Sequence, residues 1–167
     1  MILSILILFL FFLSILQSLY YFYVLPDQVA VHYNFKLEPD WISSKKLLIG
    51  SYLIVSIAIF VLFKFLTSFL FQRGRFKVPN KEYWFSEERK QKTIEKAIKY
   101  FEVFHLILLL FLLVLFQIIF MENLSNHQLS WFWVLWVVIA GYLVLVFIWS
   151  YFYSRAFRLE HSKQKQD

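Results

Sequence analysis

Long apolar runs separated by short polar passages dominate the chain. Residues 2–23 include no charged side chain, and residues 47–71 are interrupted only by Lys64. A third run, 100–121, carries Glu102 and His105 near its start, and a fourth, 129–153, is again uncharged. A membrane-crossing helix needs ~20 mostly apolar residues, so the pattern predicts four transmembrane helices over those ranges. The polar passages become an outer link (24–46), a long inner link (72–99) and a short turn before the fourth helix.

Composition strengthens this reading. A chain of 167 residues is ordinarily one soluble domain, but 60% hydrophobic and 22% aromatic residues, with a mean hydropathy of +0.63, exceed what a soluble core requires. The first run lacks a preceding Lys or Arg, is longer than a signal-peptide core, and ends in bulky Tyr20 to Tyr23 rather than small residues, so it reads as a retained helix. With no cysteine, the chain has neither disulfides nor thiolate metal sites.

Charge sets the expected orientation. The long link holds Arg73, Arg75, Lys77, Lys81, Arg89, Lys90, Lys92, Lys96 and Lys99, and the tail adds Arg155, Arg158, Lys163 and Lys165. The first link has only Lys36, Lys45 and Lys46. The positive-inside rule then places both termini and the long link in the cytoplasm and residues 24–46 outside. The predicted fold class is all-α: one polytopic domain over 1–167 in a plasma or inner membrane, with four transmembrane helices, an ordered extracytoplasmic link and an amphipathic cytoplasmic helix.

The outer link begins Leu25-Pro26-Asp27 and contains Glu38-Pro39-Asp40, both turn signals. Between them Val29, Val31 and Tyr33 alternate with Ala30, His32 and Asn34, which predicts a short extended segment with His32 and Asn34 on one face. Leu25, Pro26, Val29, His32, Tyr33 and Asn34, then Glu38-Pro39-Asp40 and Ser44-Lys45, resemble the membrane domain of unknown function at the N-terminus of Sdp-type immunity proteins, which protect bacteria from a secreted peptide toxin. Leu37 replaces the glycine usual in that pattern and argues against a tight positive-φ turn there.

In the long link, Pro79-Asn80-Lys81-Glu82-Tyr83-Trp84 and the following Glu88 and Arg89 are similar to a second passage of short members of that family, with Glu87 where proline is common. The resemblance implies a non-enzymatic membrane protein that counters an envelope-active peptide or lipid-associated ligand.

Taken on their own chemistry, His32, Asp27, Glu38 and Asp40 offer nitrogen and oxygen to a divalent metal, but one histidine with scattered acids is a weak ligand set, so no metal or other cofactor is expected. Hydrogen bonding of His32 and Asn34 within a capping link, or a face for an external peptide ligand, are the other two readings. In the inner link Ser86 is placed to cap a helix with Glu87 and Glu88 in its first turn, and Ile94, Ala97, Ile98, Phe101 and His105 recur at helical spacing. The basic face suits anionic lipid headgroups better than nucleic acid, because it adjoins the membrane.

Inside the spans, Lys64 and Glu102 sit at similar shallow depth and are expected either to pair, with His105 nearby, or to snorkel separately. Gln17 and Gln117 are expected to bond each other or line a polar cleft. No phosphate loop, HExxH motif or nucleophile elbow is present, so no catalytic residue is assigned. A small transporter or channel component using Lys64, Glu102, His105 and the glutamines is the alternative function, and a membrane assembly or regulatory subunit is a third.

Overall fold

Helix α1, Ile2–Val24, is 23 residues long, about 34 Å at 1.5 Å per residue, enough to cross a hydrocarbon layer of about 30 Å. This computed structural model describes residues 2–125 and 131–158. Hydroxyls in α1 satisfy themselves locally: Ser14 Oγ donates to the Phe11 carbonyl (2.7 Å) and Ser18 Oγ to the Ser14 carbonyl (2.8 Å). In lipid, where no water is at hand, such back-bonding is the cheap solution.

The chain next forms β1, Gln28–Tyr33, and β2, Pro39–Ser44, an antiparallel pair with Gln28 opposite Ser44, Val29 opposite Ser43 and Ala30 opposite Ile42. The register is irregular on either side of His32, which faces Trp41. The expected extended segment is therefore one arm of a hairpin, and its partner, 39–44, has too little alternation to stand out in the sequence.

Helix α2, Lys45–Phe65, starts two residues before the predicted span, and Ser44 Oγ accepts from the Leu47 amide as its cap. It continues as a π-helical segment, Leu66–Phe71, and stops at Gly74, whose φ of +67° suits glycine. There the Gly74 amide donates to the Phe71 carbonyl and the Arg75 amide to the Leu70 carbonyl. A Cβ on Gly74 would lie 2.5 Å from the Phe85 ring, so space as well as φ demands glycine.

After a short helix α3, Lys81–Trp84, helix α4 runs over Lys90–Leu124 without a break, 35 residues and about 52 Å. The predicted third span is thus the apolar part of a longer helix. Ser86 does not cap it: its Oγ is buried without a partner among the described residues, while its carbonyl accepts from the Arg89 and Lys90 amides in a turn. Thr93 Oγ1 donates to the Trp84 carbonyl (3.0 Å), holding that turn against the first turn of α4 and delaying the helix start. Helix α5, Val134–Ala156, begins after a turn at 131–133. The predicted start at Leu129 and the tail cations Lys163 and Lys165 lie outside the described residues.

These four long helices are long and apolar enough to cross a membrane. Helices α1, α2 and α4 pack on one another, and α5 lies along α4. Small buried side chains, Ser14, Ser18, Ser56 and Ala97, let the backbones approach. One apolar cluster (Tyr21, Leu25, Val29, Tyr52, Phe120) joins the three core helices to the hairpin, and another (Ile118, Phe132, Leu135) reaches Tyr33 and Leu37. At the opposite, basic end Phe71, Ala97 and Phe157 gather with Trp84. There the last carbonyls of α5 are met by Trp84 Nε1, which donates to Phe157 (2.9 Å), and by Lys96 Nζ, which donates to Ala156, the placement of a cation that a helix C-terminus favours.

Candidate functional site

The hairpin is tied by side chains at its tip, middle and base. At the tip, Asn34 Oδ1 accepts from the Lys36 amide (2.8 Å) and the Glu38 amide (3.1 Å), and Asn34 Nδ2 donates to Glu38 Oε2 (2.9 Å). This loop closes through Leu37 at φ +64°, so the tight positive-φ turn that leucine argued against forms regardless. Leu37 is half-buried against the Ile118, Phe132 and Leu135 cluster, which offsets a left-handed cost of roughly 1–2 kcal/mol.

At the base, the Asp27 carboxylate lies 3.2 Å from Lys45 Nζ, and that ammonium also donates to the Leu25 carbonyl (2.9 Å). Pro26 lies exposed between Leu25, which is buried, and Asp27, which is exposed, and Pro39 opens β2 opposite Tyr33.

In the middle, His32 Nδ1 and Asp40 Oδ1 are 2.6 Å apart. Both side chains are largely exposed, so the pair contributes at most about 1 kcal/mol; its value is in fixing the imidazole. His32 Nε2 and Asp40 Oδ2 make no hydrogen bond among the described residues. Of the four residues that could together offer ligands to a metal, only His32 and Asp40 meet; Glu38 is taken by Asn34 at the tip. Asp27 is held elsewhere by Lys45, and no group of three His, Asp or Glu side chains converges among the described residues.

Beside these pairs lies a groove of about 390 Å³ between the hairpin and α5, lined by His32, Asn34, Phe35 and Asp40 on one side and Leu135, Trp136 and Ile139 on the other. Phe35, 90% exposed, stacks parallel to Trp136 with centroids 6.3 Å apart. The groove combines a polar lip of fixed donors and acceptors with an apolar, aromatic wall, a lining suited to an amphipathic ligand.

What positions this site is a residue the sequence reading passed over. Asn123, buried one residue from the end of α4, accepts from the Ala30 amide at 2.6 Å, and the two hydrogens of its Nδ2 are shared among the Ala30 carbonyl, the Tyr33 hydroxyl and the Ile119 carbonyl of its own helix, all within 3.1 Å. The irregular register opens immediately after Ala30, where Asn123 takes both backbone groups. Burial pushes the Tyr33 phenol above its ordinary pKa, the neighbouring Glu122 carboxylate adds to this, and the Asn123 bond opposes it. The only sequence signal for the clamp was the polar Glu122-Asn123 pair closing an apolar run.

Within the helices, the glutamines bond each other: Gln17 Nε2 donates to Gln117 Oε1 (2.8 Å) and to the Leu113 carbonyl (3.1 Å). The chain extends further: Tyr52 donates to Gln17 Oε1 (2.7 Å), and Gln117 Nε2 to the Tyr21 hydroxyl (2.7 Å). Lys64 and Glu102, however, form no ion pair. Glu102 accepts instead from Ser4 Oγ of α1 (2.9 Å), and Lys64 Nζ lies 5.9 Å from the Phe60 ring centre. His105 is buried between Phe60 and Phe63, stacked on the latter at 4.5 Å, with Nε2 lacking a hydrogen-bond partner among the described residues.

The inner-link motif divides its work. Trp84 ties α5, Arg89 stacks on Tyr83 at 4.1 Å, and Asn80 enters α3 at φ +53°, while Pro79 and Glu88 are exposed. Comparison with known families matches residues 9–62 to a domain of unknown function (DUF1648), a segment that takes in most of α1, the hairpin and most of α2. Neither the curated proteins nor the solved structures yielded a match.

Proposed function

We propose that this chain is a non-enzymatic integral membrane protein that binds and counters an envelope-active peptide or lipid-associated ligand, as the Sdp-type immunity proteins it resembles do. The carrying observation is the groove between hairpin and α5, where His32 and Asp40 stand 2.6 Å apart at the rim of an aromatic wall. Such a lining suits a peptide that brings both apolar side chains and polar backbone. In this reading the hairpin faces outside the cell membrane, both termini are cytoplasmic, and Arg73, Arg75 and Lys77 rest on anionic headgroups.

The test is survival of peptide-sensitive bacteria expressing the wild type or His32→Ala at matched membrane abundance, under a panel of secreted antimicrobial peptides. Protection by the wild type and its loss in the variant are expected; equal survival of both at every peptide would sink the assignment. A reporter placed at Lys36 and reached only from the cytoplasm would overturn the orientation.

A second reading, a small transporter or channel component, draws on the polar side chains between α1, α2 and α4: Gln17, Tyr52, Gln117 and buried His105. It requires that Lys64→Ala or Glu102→Ala change flux in vesicles containing the folded protein.

A further inference from the structure

A second groove, of about 520 Å³, runs between α1 and α4 and is almost wholly apolar except where Gln17, Gln117 and Tyr21 reach its wall. The hydrogen bonds behind that wall run in one sense. Tyr52 donates to Gln17, Gln17 to Gln117, and Gln117 to the hydroxyl oxygen of Tyr21. The sense is fixed because Gln17 Nε2 also reaches the Leu113 carbonyl, which can only accept. The chain therefore ends on the Tyr21 O–H proton, for which no acceptor exists among the described residues. Tyr21 is only 5% exposed, and a buried donor left unmade is costly.

The position of that donor identifies its acceptor. Tyr21 lies three residues before the end of α1, about 4.5 Å along the axis, at the edge of the hydrocarbon layer. Leu13 lies about 12 Å deeper on the same groove. An occupant that fits presents an acceptor at the upper level and a hydrocarbon chain below it. Both are properties of an acyl ester.

We propose that the α1–α4 groove is a lateral binding site for one acyl chain of a bilayer glycerophospholipid, whose ester carbonyl accepts from the Tyr21 hydroxyl. The chain lies along Leu13, Leu16 and Val114. This site is separate from the hairpin groove and stands independently of the peptide-binding reading.

The test is native mass spectrometry of delipidated protein titrated with an ester phospholipid and with the ether analogue of the same headgroup and chain length. The ester lipid is expected as a single adduct per chain, bound roughly five-fold more tightly than the ether lipid, the worth of one hydrogen bond. Tyr21→Phe, which keeps the ring contact with Phe120, should bring the two lipids level, and Leu16→Trp, which puts bulk across the groove mouth, should remove both adducts. Equal binding of ester and ether lipid by the wild type overturns the proposal whether or not either variant folds. An adduct that survives Leu16→Trp in folded protein does so as well. Free palmitate displacing the phospholipid at equal concentration would show that the site takes a fatty acid instead and would overturn the assignment to phospholipid.

Discussion

Asn123 brackets Ala30, accepting from its amide at 2.6 Å and donating to its carbonyl at 3.1 Å. The side chain thereby plays the part of a missing strand neighbour at the irregular step of β1, and it fastens the hairpin to the end of α4 across 93 residues of sequence. Ala30 is fully buried, so neither backbone group has water to fall back on. Asn123→Ala is expected to destabilise the protein by about 2–4 kcal/mol, from two orphaned backbone groups, and to raise hydrogen exchange at Ala30 more than at the α2 amides. Uniform exchange changes along the chain would show that the clamp is not local.

Tyr33 gives that clamp a pH dependence. Its phenol is held neutral above the ordinary value of 10.0, first by burial and then by the Glu122 carboxylate. An acid whose folded pKa is raised stabilises the fold fully below its unfolded value, and that contribution is lost as pH rises through 10 toward the folded value. Thermal stability of the wild type should fall between pH 9.5 and 11.5 more steeply than that of Tyr33→Phe, measured by scanning fluorimetry in one detergent. Parallel slopes would remove Tyr33 as the responsible group.

The four apolar runs were legible because hydrophobic length alone decides whether a helix can span a bilayer, and α1 ends within a residue of its predicted limit. Pairings between distant segments were legible only where two polar residues stood out in otherwise apolar spans, as Gln17 and Gln117 do. Lys64 and Glu102 share a depth, the only coordinate that sequence provides, which leaves pairing and separate snorkelling equally open; rotation about the helix axis, which turns Glu102 to Ser4, is fixed by packing. The His32 motif stood out, but the strand that brings Asp40 beside it did not, since Pro39–Ser44 carries no alternating pattern.

The glutamine chain should behave as a unit. Gln17→Leu leaves Gln117 Oε1 and the Tyr52 hydroxyl without their partner, whereas Gln17→Leu with Gln117→Leu removes both amides. A double-mutant cycle in detergent unfolding is expected to return a coupling of about 0.6–1.7 kcal/mol. The double variant should lose less stability than the two single variants summed. Strict additivity would mean that each amide finds another partner when its neighbour is gone.

Leu37 sets backbone strain against packing. Its φ of +64° disfavours any side chain with a Cβ, yet its own side chain packs toward Ile118, Phe132 and Leu135. Leu37→Gly and Leu37→Ala both remove that packing, but only glycine also relieves the strain. The left-handed penalty of roughly 1–2 kcal/mol is partly offset by the extra unfolded-state freedom of glycine, roughly 0.4–1 kcal/mol. Glycine should therefore be the more stable of the two variants by about 0.5–1 kcal/mol, and alanine the least stable of the three proteins. If the alanine variant equals or exceeds the glycine one in denaturant midpoint, the turn at the hairpin tip does not hold this conformation, and the rim of the groove at Asn34 is not fixed by it.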